Sequence, residues 1–158
     1  MPSFIRTFIA SAGAVALVAG LAAQAKPNFS GEWHMVPAKS NFGQMAAPSK
    51  LVRTIVHVEP TLKLTTVQTT DAGDTTTQTT FTTDGKPASN TVQGSPMTTV
   101  GKWEGATLVL TGTLQQQGAD IGIVDRYTLS DAGKTLTLIR KLSTPNGEAT
   151  ATIVWAKK

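Results

Sequence analysis

From Gly31-Glu32-Trp33 onward the chain runs through ten short Thr-, Val- and Leu-rich segments, with a turn signal between almost every neighbouring pair. That rhythm leaves little room for helices. The turn chemistry falls at Glu59-Pro60, Asp71-Ala72-Gly73-Asp74, Asp84-Gly85-Lys86, Gly94-Ser95-Pro96, Glu104-Gly105, Gln117-Gly118, Ser130-Asp131-Ala132-Gly133 and Pro145-Asn146-Gly147. Asp-Gly and Asn-Gly supply the positive backbone dihedrals that tight hairpins need. The spacing predicts strands over residues 30–36, 51–59, 62–70, 75–83, 87–94, 97–103, 107–114, 120–129, 135–142 and 149–156. Consecutive hairpins of this kind make an all-β, up-and-down antiparallel β-barrel of about ten strands. A barrel of that size can hold a small guest.

One connection breaks the pattern. Residues 37–50 are too many for a hairpin, so a short helical or loop lid is expected between the first two strands. Ser40 or Asn41 would cap a helix reaching Met45 to Ala47 and ended by Pro48, with Phe42 and Met45 on one face to plug the barrel. An irregular loop fits the same residues.

Alternation assigns the faces. Ile121, Ile123, Tyr127 and Leu129 share one face, as do Leu136, Leu138 and Leu142, and Leu108, Leu110 and Leu114. Residues 75–83 differ, carrying a single apolar side chain, Phe81, among Thr and Gln. A strand polar on both faces cannot add to a packed core. Closed into a barrel, it predicts a lumen partly filled with water.

The first 25 residues read as an address. Arg6 supplies the positive end, residues 7–22 a small-residue apolar run, and Ala23-Gln24-Ala25 the cleavage site. Cleavage after Ala25 leaves one domain, residues 26–158, expected in the periplasm or outside a bacterial cell. The chain has no cysteine, which excludes disulfides, a thiol nucleophile, a zinc ribbon and a lipoprotein anchor. With 14 basic and 10 acidic residues, and Arg6 in the leader, the remaining domain is mildly positive. Its basic residues are scattered, unlike the stripe of a nucleic-acid reader. The mixed Gly122, Val124, Arg126 and Thr128 face gives no band for lipid, so membrane insertion is not expected. A monomer is expected.

Catalytic motifs are absent: no nucleophile elbow, P-loop or dinucleotide fingerprint. No enzymatic activity, cofactor or metal is expected. His34 and His57, each two residues from a glutamate, read as parts of solvated polar faces. The sharpest local signal is a pair of charges on apolar faces. If residues 131–134 form the loop, Ser130 pairs with Thr135, Tyr127 with Leu138, and Asp125 with Arg140. Directly opposed side chains are neighbours, so the two charges make an inward ion pair. It either fixes the hairpin register or lets Arg140, with Tyr127 beside it, take the polar head of a guest. Trp33 and Phe81 join Arg140, Asp125 and Tyr127 as expected ligand contacts. The sheet closes if the strands of Trp33 and Trp155 pair.

Phe29-Ser30-Gly31-Glu32-Trp33, Ser40-Asn41-Phe42, and Lys102-Trp103-Glu104-Gly105 with Leu108-Val109 behind it resemble the fatty-acid-binding proteins and the wider lipocalin-like (calycin) barrels. The resemblance spans most of residues 29–156. It implies an up-and-down barrel with a ligand cavity and the long connection as lid. It does not carry over the Arg-x-Tyr head-group pair of the fatty-acid-binding proteins, because the matching place reads Ile153-Val154-Trp155. Two functions stay open. One is a binding protein holding a small hydrophobic or amphipathic molecule; the other is a non-enzymatic interaction or inhibitory module that uses its rim and holds no ligand.

Overall fold

The computed structural model describes residues 25–158. The leader proposed for residues 1–25 lies outside them save for Ala25. The ten expected strands all form: β1 (Gly31–Met35), β2 (Lys50–Val58), β3 (Thr61–Thr70), β4 (Gly73–Thr82), β5 (Pro87–Val92), β6 (Ser95–Glu104), β7 (Thr107–Gln116), β8 (Ala119–Ser130), β9 (Thr135–Thr144) and β10 (Gly147–Lys157). All pairings are antiparallel, in the order β4-β3-β2-β1-β10-β9-β8-β7-β6-β5. The first strand meets the last, with Trp33 opposite Lys157 and Met35 opposite Trp155. The barrel is therefore nearly closed, with one seam where β4 and β5 end the sheet without a ladder between them.

Several strands run longer than the alternation predicts because their turns are minimal. Gln93-Gly94 and Gln117-Gly118 both carry two consecutive positive φ angles (50° and 81°; 52° and 79°), the geometry of two-residue hairpins. Up-and-down order then sorts the connections by end. The β2–β3, β4–β5, β6–β7 and β8–β9 turns lie at one end, here the base. The β1–β2 connection and the remaining turns lie at the other, the top.

The connection after β1 is a loop. It holds a single 3-10 turn, Pro37–Lys39, and then runs beside β10, where Asn41 and Thr152 exchange two backbone hydrogen bonds of 2.7 Å. The helix expected to start at Ser40 or Asn41 does not form. Asn41 turns the chain instead, its Oδ1 accepting from Gly43 N at 2.8 Å, and Gly43 sits at φ 59°, where no right-handed helix can continue. Phe42 and Met45 nonetheless pack on the core, as a plug should.

The core occupies the base. Phe29, Trp33, Leu62, Leu108, Leu136, Leu138 and Trp155 are fully buried there. Phe29 enters ahead of β1 and stacks on His57 and Trp103, with ring centroids 5.6 and 5.7 Å away. Trp33 Nε1 donates to Phe29 O at 2.9 Å, tying this stopper to the first strand. His57 corrects the sequence reading: it is 4 % exposed, not part of a solvated face. It lies on the inner face of β2 with Leu51 and Ile55. Its Nδ1 accepts from Phe29 N at 3.2 Å, and Nε2 faces Glu59 Oε1 at 3.2 Å.

Candidate functional site

The top half of the barrel holds a cavity of about 310 Å³ that is partly open to solvent. Its walls are apolar in the main, from Phe42 and Met45 of the connection, Leu64, Phe81, Met97, Leu110, Ile123 and Ile153. Thr66, Gln68, Thr77 and Thr79 give the β3–β4 side a polar surface, as the Thr-rich run implied. Such a mixed wall, greasy with a few convergent polar groups, is the usual character of a small-molecule pocket.

A charged layer separates this cavity from the packed base. Asp125 and Arg140 are opposed across β8–β9 in the expected register. Arg140 Nε donates to Asp125 Oδ1 at 2.8 Å and Nη2 to Oδ2 at 2.6 Å, a two-pronged fork. Asp125 is 3 % exposed, whereas 34 % of the Arg140 side chain is accessible. Because Arg140 shares the inner face with Leu136 and Leu138, that accessible part fronts the cavity rather than bulk water. The Asp125 carboxylate holds the Arg140 guanidinium still more firmly protonated than usual.

Arg53 completes the layer, and it is the site residue that the sequence reading missed. It is 7 % exposed and borders the cavity from β2. Nε donates to Thr66 Oγ1 at 3.1 Å, opposite it on β3, and Nη1 donates to Tyr127 Oη at 3.2 Å. The guanidinium lies 4.7 Å over the Trp155 ring and 5.9 Å from the Tyr127 ring. Those π faces partly compensate the charge. Among the described residues Arg53 has no carboxylate within salt-bridge reach and no partner for its remaining N–H donors. The signal that could have found it is the alternation Leu51, Arg53, Ile55, which sets a cation on an apolar face.

The expected ligand contacts divide accordingly. Asp125, Tyr127, Arg140 and Phe81 all border the cavity. Trp33 does not: it is 0 % exposed, opposite Arg53 in the β1–β2 register, where its ring serves core packing and carries Lys157 Nζ 5.2 Å from its centroid. Burial, the largest influence, pushes the Tyr127 phenol up, so it stays neutral and keeps its own proton to donate. Two buried polar atoms are unpaired among the described residues, Thr99 Oγ1, which borders the cavity, and Trp155 Nε1, on the ring beneath Arg53. No cluster of three metal-ligating side chains occurs among the described residues. Nor is any described helix long and apolar enough to cross a membrane.

No family model matches the sequence, and no curated protein sequence matches it. Solved structures do match the fold. The zebrafish ileal bile acid-binding protein complexed with cholic acid superposes with a TM-score of 0.55 at 17 % identity, covering 82 % of this chain and 98 % of that one. A secretory abundant heat soluble protein from Ramazzottius varieornatus gives 0.60 at 13 % identity, covering 82 % and 94 %. The Echinococcus granulosus fatty-acid-binding protein 1 gives 0.54 at 15 % identity, covering 82 % and 96 %. At these identities the likeness shows the fold, an up-and-down antiparallel β-barrel, and nothing finer.

Proposed function

We propose that this protein is a non-enzymatic binding protein that holds a small amphipathic molecule, its apolar part in the top cavity and an anionic head against the charged layer. The observation that carries this reading is Arg53, a buried cation at the cavity edge with no carboxylate partner among the described residues. With Arg140 already matched by Asp125, the layer holds one positive charge in excess. An uncompensated buried charge is costly, and a ligand anion relieves it while using the free guanidinium donors. The Tyr127 hydroxyl is placed to donate to the same head group. Two of the three solved structures described above are named for ligand binding, one of bile acid and one of fatty acid, which supports a barrel of this shape in that role. Residues 1–25 would carry the chain into the periplasm or beyond, and N-terminal sequencing of the exported protein would begin at Lys26.

The test compares a medium-chain carboxylic acid with the alcohol of equal length by titration calorimetry. The acid is expected to bind the wild type at least tenfold more tightly. Arg53→Met should remove that preference, because charge-assisted hydrogen bonds contribute about 1.5–3 kcal/mol each. Equal affinity for acid and alcohol, or an unchanged preference in R53M, would refute the anionic head. Native mass spectrometry of protein from its own host should show a co-purifying small acid.

A further inference from the structure

Two boundaries of the partly open cavity could widen to pass a guest, and the structure treats them differently. The connection at the top is stitched down. Val36 N donates to Val154 O at 2.8 Å, Asn41 and Thr152 exchange two bonds, and Ser40 Oγ accepts from Val154 N at 3.0 Å. Phe42 and Met45 add apolar contacts to the core. The seam between β4 and β5 has no such ladder. Above its base, among the described residues, it is hydrogen-bonded across by one side chain, Asn90, whose amide stands in for a strand residue: Thr80 N donates to Asn90 Oδ1 at 2.7 Å and Asn90 Nδ2 donates to Thr80 O at 2.9 Å.

The seam is fixed at its base. Thr82 Oγ1 donates to Lys86 O at 2.5 Å and Thr83 N to Pro60 O at 2.9 Å, and the corner crosses so close to β6 that a Cβ on Gly101 would lie 2.0 Å from Thr82 O. Above Asn90 the restraint ends. Gly73 to Thr76 are exposed on both faces of the sheet, while Thr77 and Thr79 on one side and Val92 and Gln93 on the other border the cavity itself. The upper β3–β4 hairpin thus has one free edge and hardly any apolar anchor, and is held on its other side by the β2 ladder up to Lys50–Thr69 and by Ser49 N and Oγ, both donating to Thr69 O. Its Thr-rich composition, which contributes nothing to the core, fits an element that must leave its place and return.

We propose that guest exchange runs through the β4–β5 seam, with the upper β3–β4 hairpin as the flap and Asn90 as its latch. This rests on the reading of the barrel as a binding protein. The latch sets the rate of entry and exit and leaves the bound state nearly untouched, since Asn90 does not border the cavity.

The test follows the anionic probe 1-anilinonaphthalene-8-sulfonate by stopped-flow fluorescence in three proteins. Asn90→Ala is expected to raise association and dissociation rates together, at least tenfold, with Kd changed less than threefold. A second variant, Asn41→Cys with Thr152→Cys, locks the top connection to β10. These residues form an isolated antiparallel bridge and exchange both backbone bonds, a separation that suits a disulfide, and the chain has no other cysteine to mispair. Oxidised, it should exchange probe at the wild-type rate. Rates unchanged in N90A, or a tenfold slowing in the oxidised lock that reduction reverses, would overturn the seam and make the top connection the door. Absence of saturable probe binding by the wild type would instead sink the binding reading, and the seam with it.

Discussion

Arg140 and Arg53 show how differently two lumen arginines read from sequence. Arg140 was legible because the loop over residues 131–134 fixes the β8–β9 register, and the register puts Asp125 opposite it. Its fork on Asp125 makes a clear prediction. Arg140→Leu leaves a carboxylate that is 3 % exposed without its partner, which in a dry interior costs about 3–5 kcal/mol; water reaching Arg140 from the cavity places the loss at the lower end of that range. The double variant Asp125→Leu with Arg140→Leu should recover most of it, because two apolar side chains replace two charges together. Denaturant midpoints of the two proteins check this, and equal losses in both would show that the pair is not coupled as its geometry implies. Arg53 carries no such sequence partner. Its neighbours, Thr66 next door on β3 but Tyr127 far off on β8, come together only when the sheet has curled round, so no local pattern announces the site.

At the level of elements, period-two alternation and turn chemistry locate every strand, because each is a local property of a few residues. The β1–β2 connection was not legible in the same way. Phe42 and Met45 sit at helical spacing, yet the loop gets its backbone partners from Val154 and Thr152 of β10, more than a hundred residues away, and those bonds favour an extended path. The base stopper was hidden for a related reason. Glu59, on the turn after β2, receives hydrogen bonds from Thr83 Oγ1 at 2.6 Å and Trp103 Nε1 at 2.9 Å, with Lys26 Nζ at 3.7 Å. Partial burial acts to raise its pKa, but these bonds, the Lys26 charge and His57 outweigh it, and the carboxyl titrates below its ordinary value of 4.5. A lowered folded-state pKa means stability that is complete above the ordinary value and is lost as the pH falls through the folded one. Melting midpoints should therefore drop between about pH 5 and pH 3 more steeply in the wild type than in Glu59→Gln. Trp103 emission should report the same transition. Parallel curves for the two proteins would show that the Glu59 cluster adds no acid-sensitive stability.

Taken whole, the barrel is two objects on one continuous sheet. Around the base and the β7–β10 wall, Leu108, Leu110, Tyr127, Leu136, Leu138 and Trp155 are fully buried and bind successive strands together by the apolar surface they remove from water. On the β3–β4 side above Thr80, ladder hydrogen bonds between Thr and Gln residues must hold the hairpin almost unaided. The net worth of such a bond is only about 0.5–1.5 kcal/mol, since water competes for each group. One sheet with so uneven a support should not open as a unit, even though its ladder is unbroken from β4 round to β5. Native-state hydrogen exchange measures this directly, because amides are released by the least costly opening that frees them. Amides of Thr70 to Thr77 should exchange by a local opening, at least a hundredfold faster than those of Leu110, Asp125 and Leu138 at the centres of β7, β8 and β9. Added denaturant should speed the slow set far more than the fast set, since only global unfolding exposes the base. If the two sets converge on one rate and one denaturant dependence, the sheet behaves as a single cooperative unit. A barrel of that kind would need global unfolding, not a moving hairpin, to expose its cavity along the β4 side.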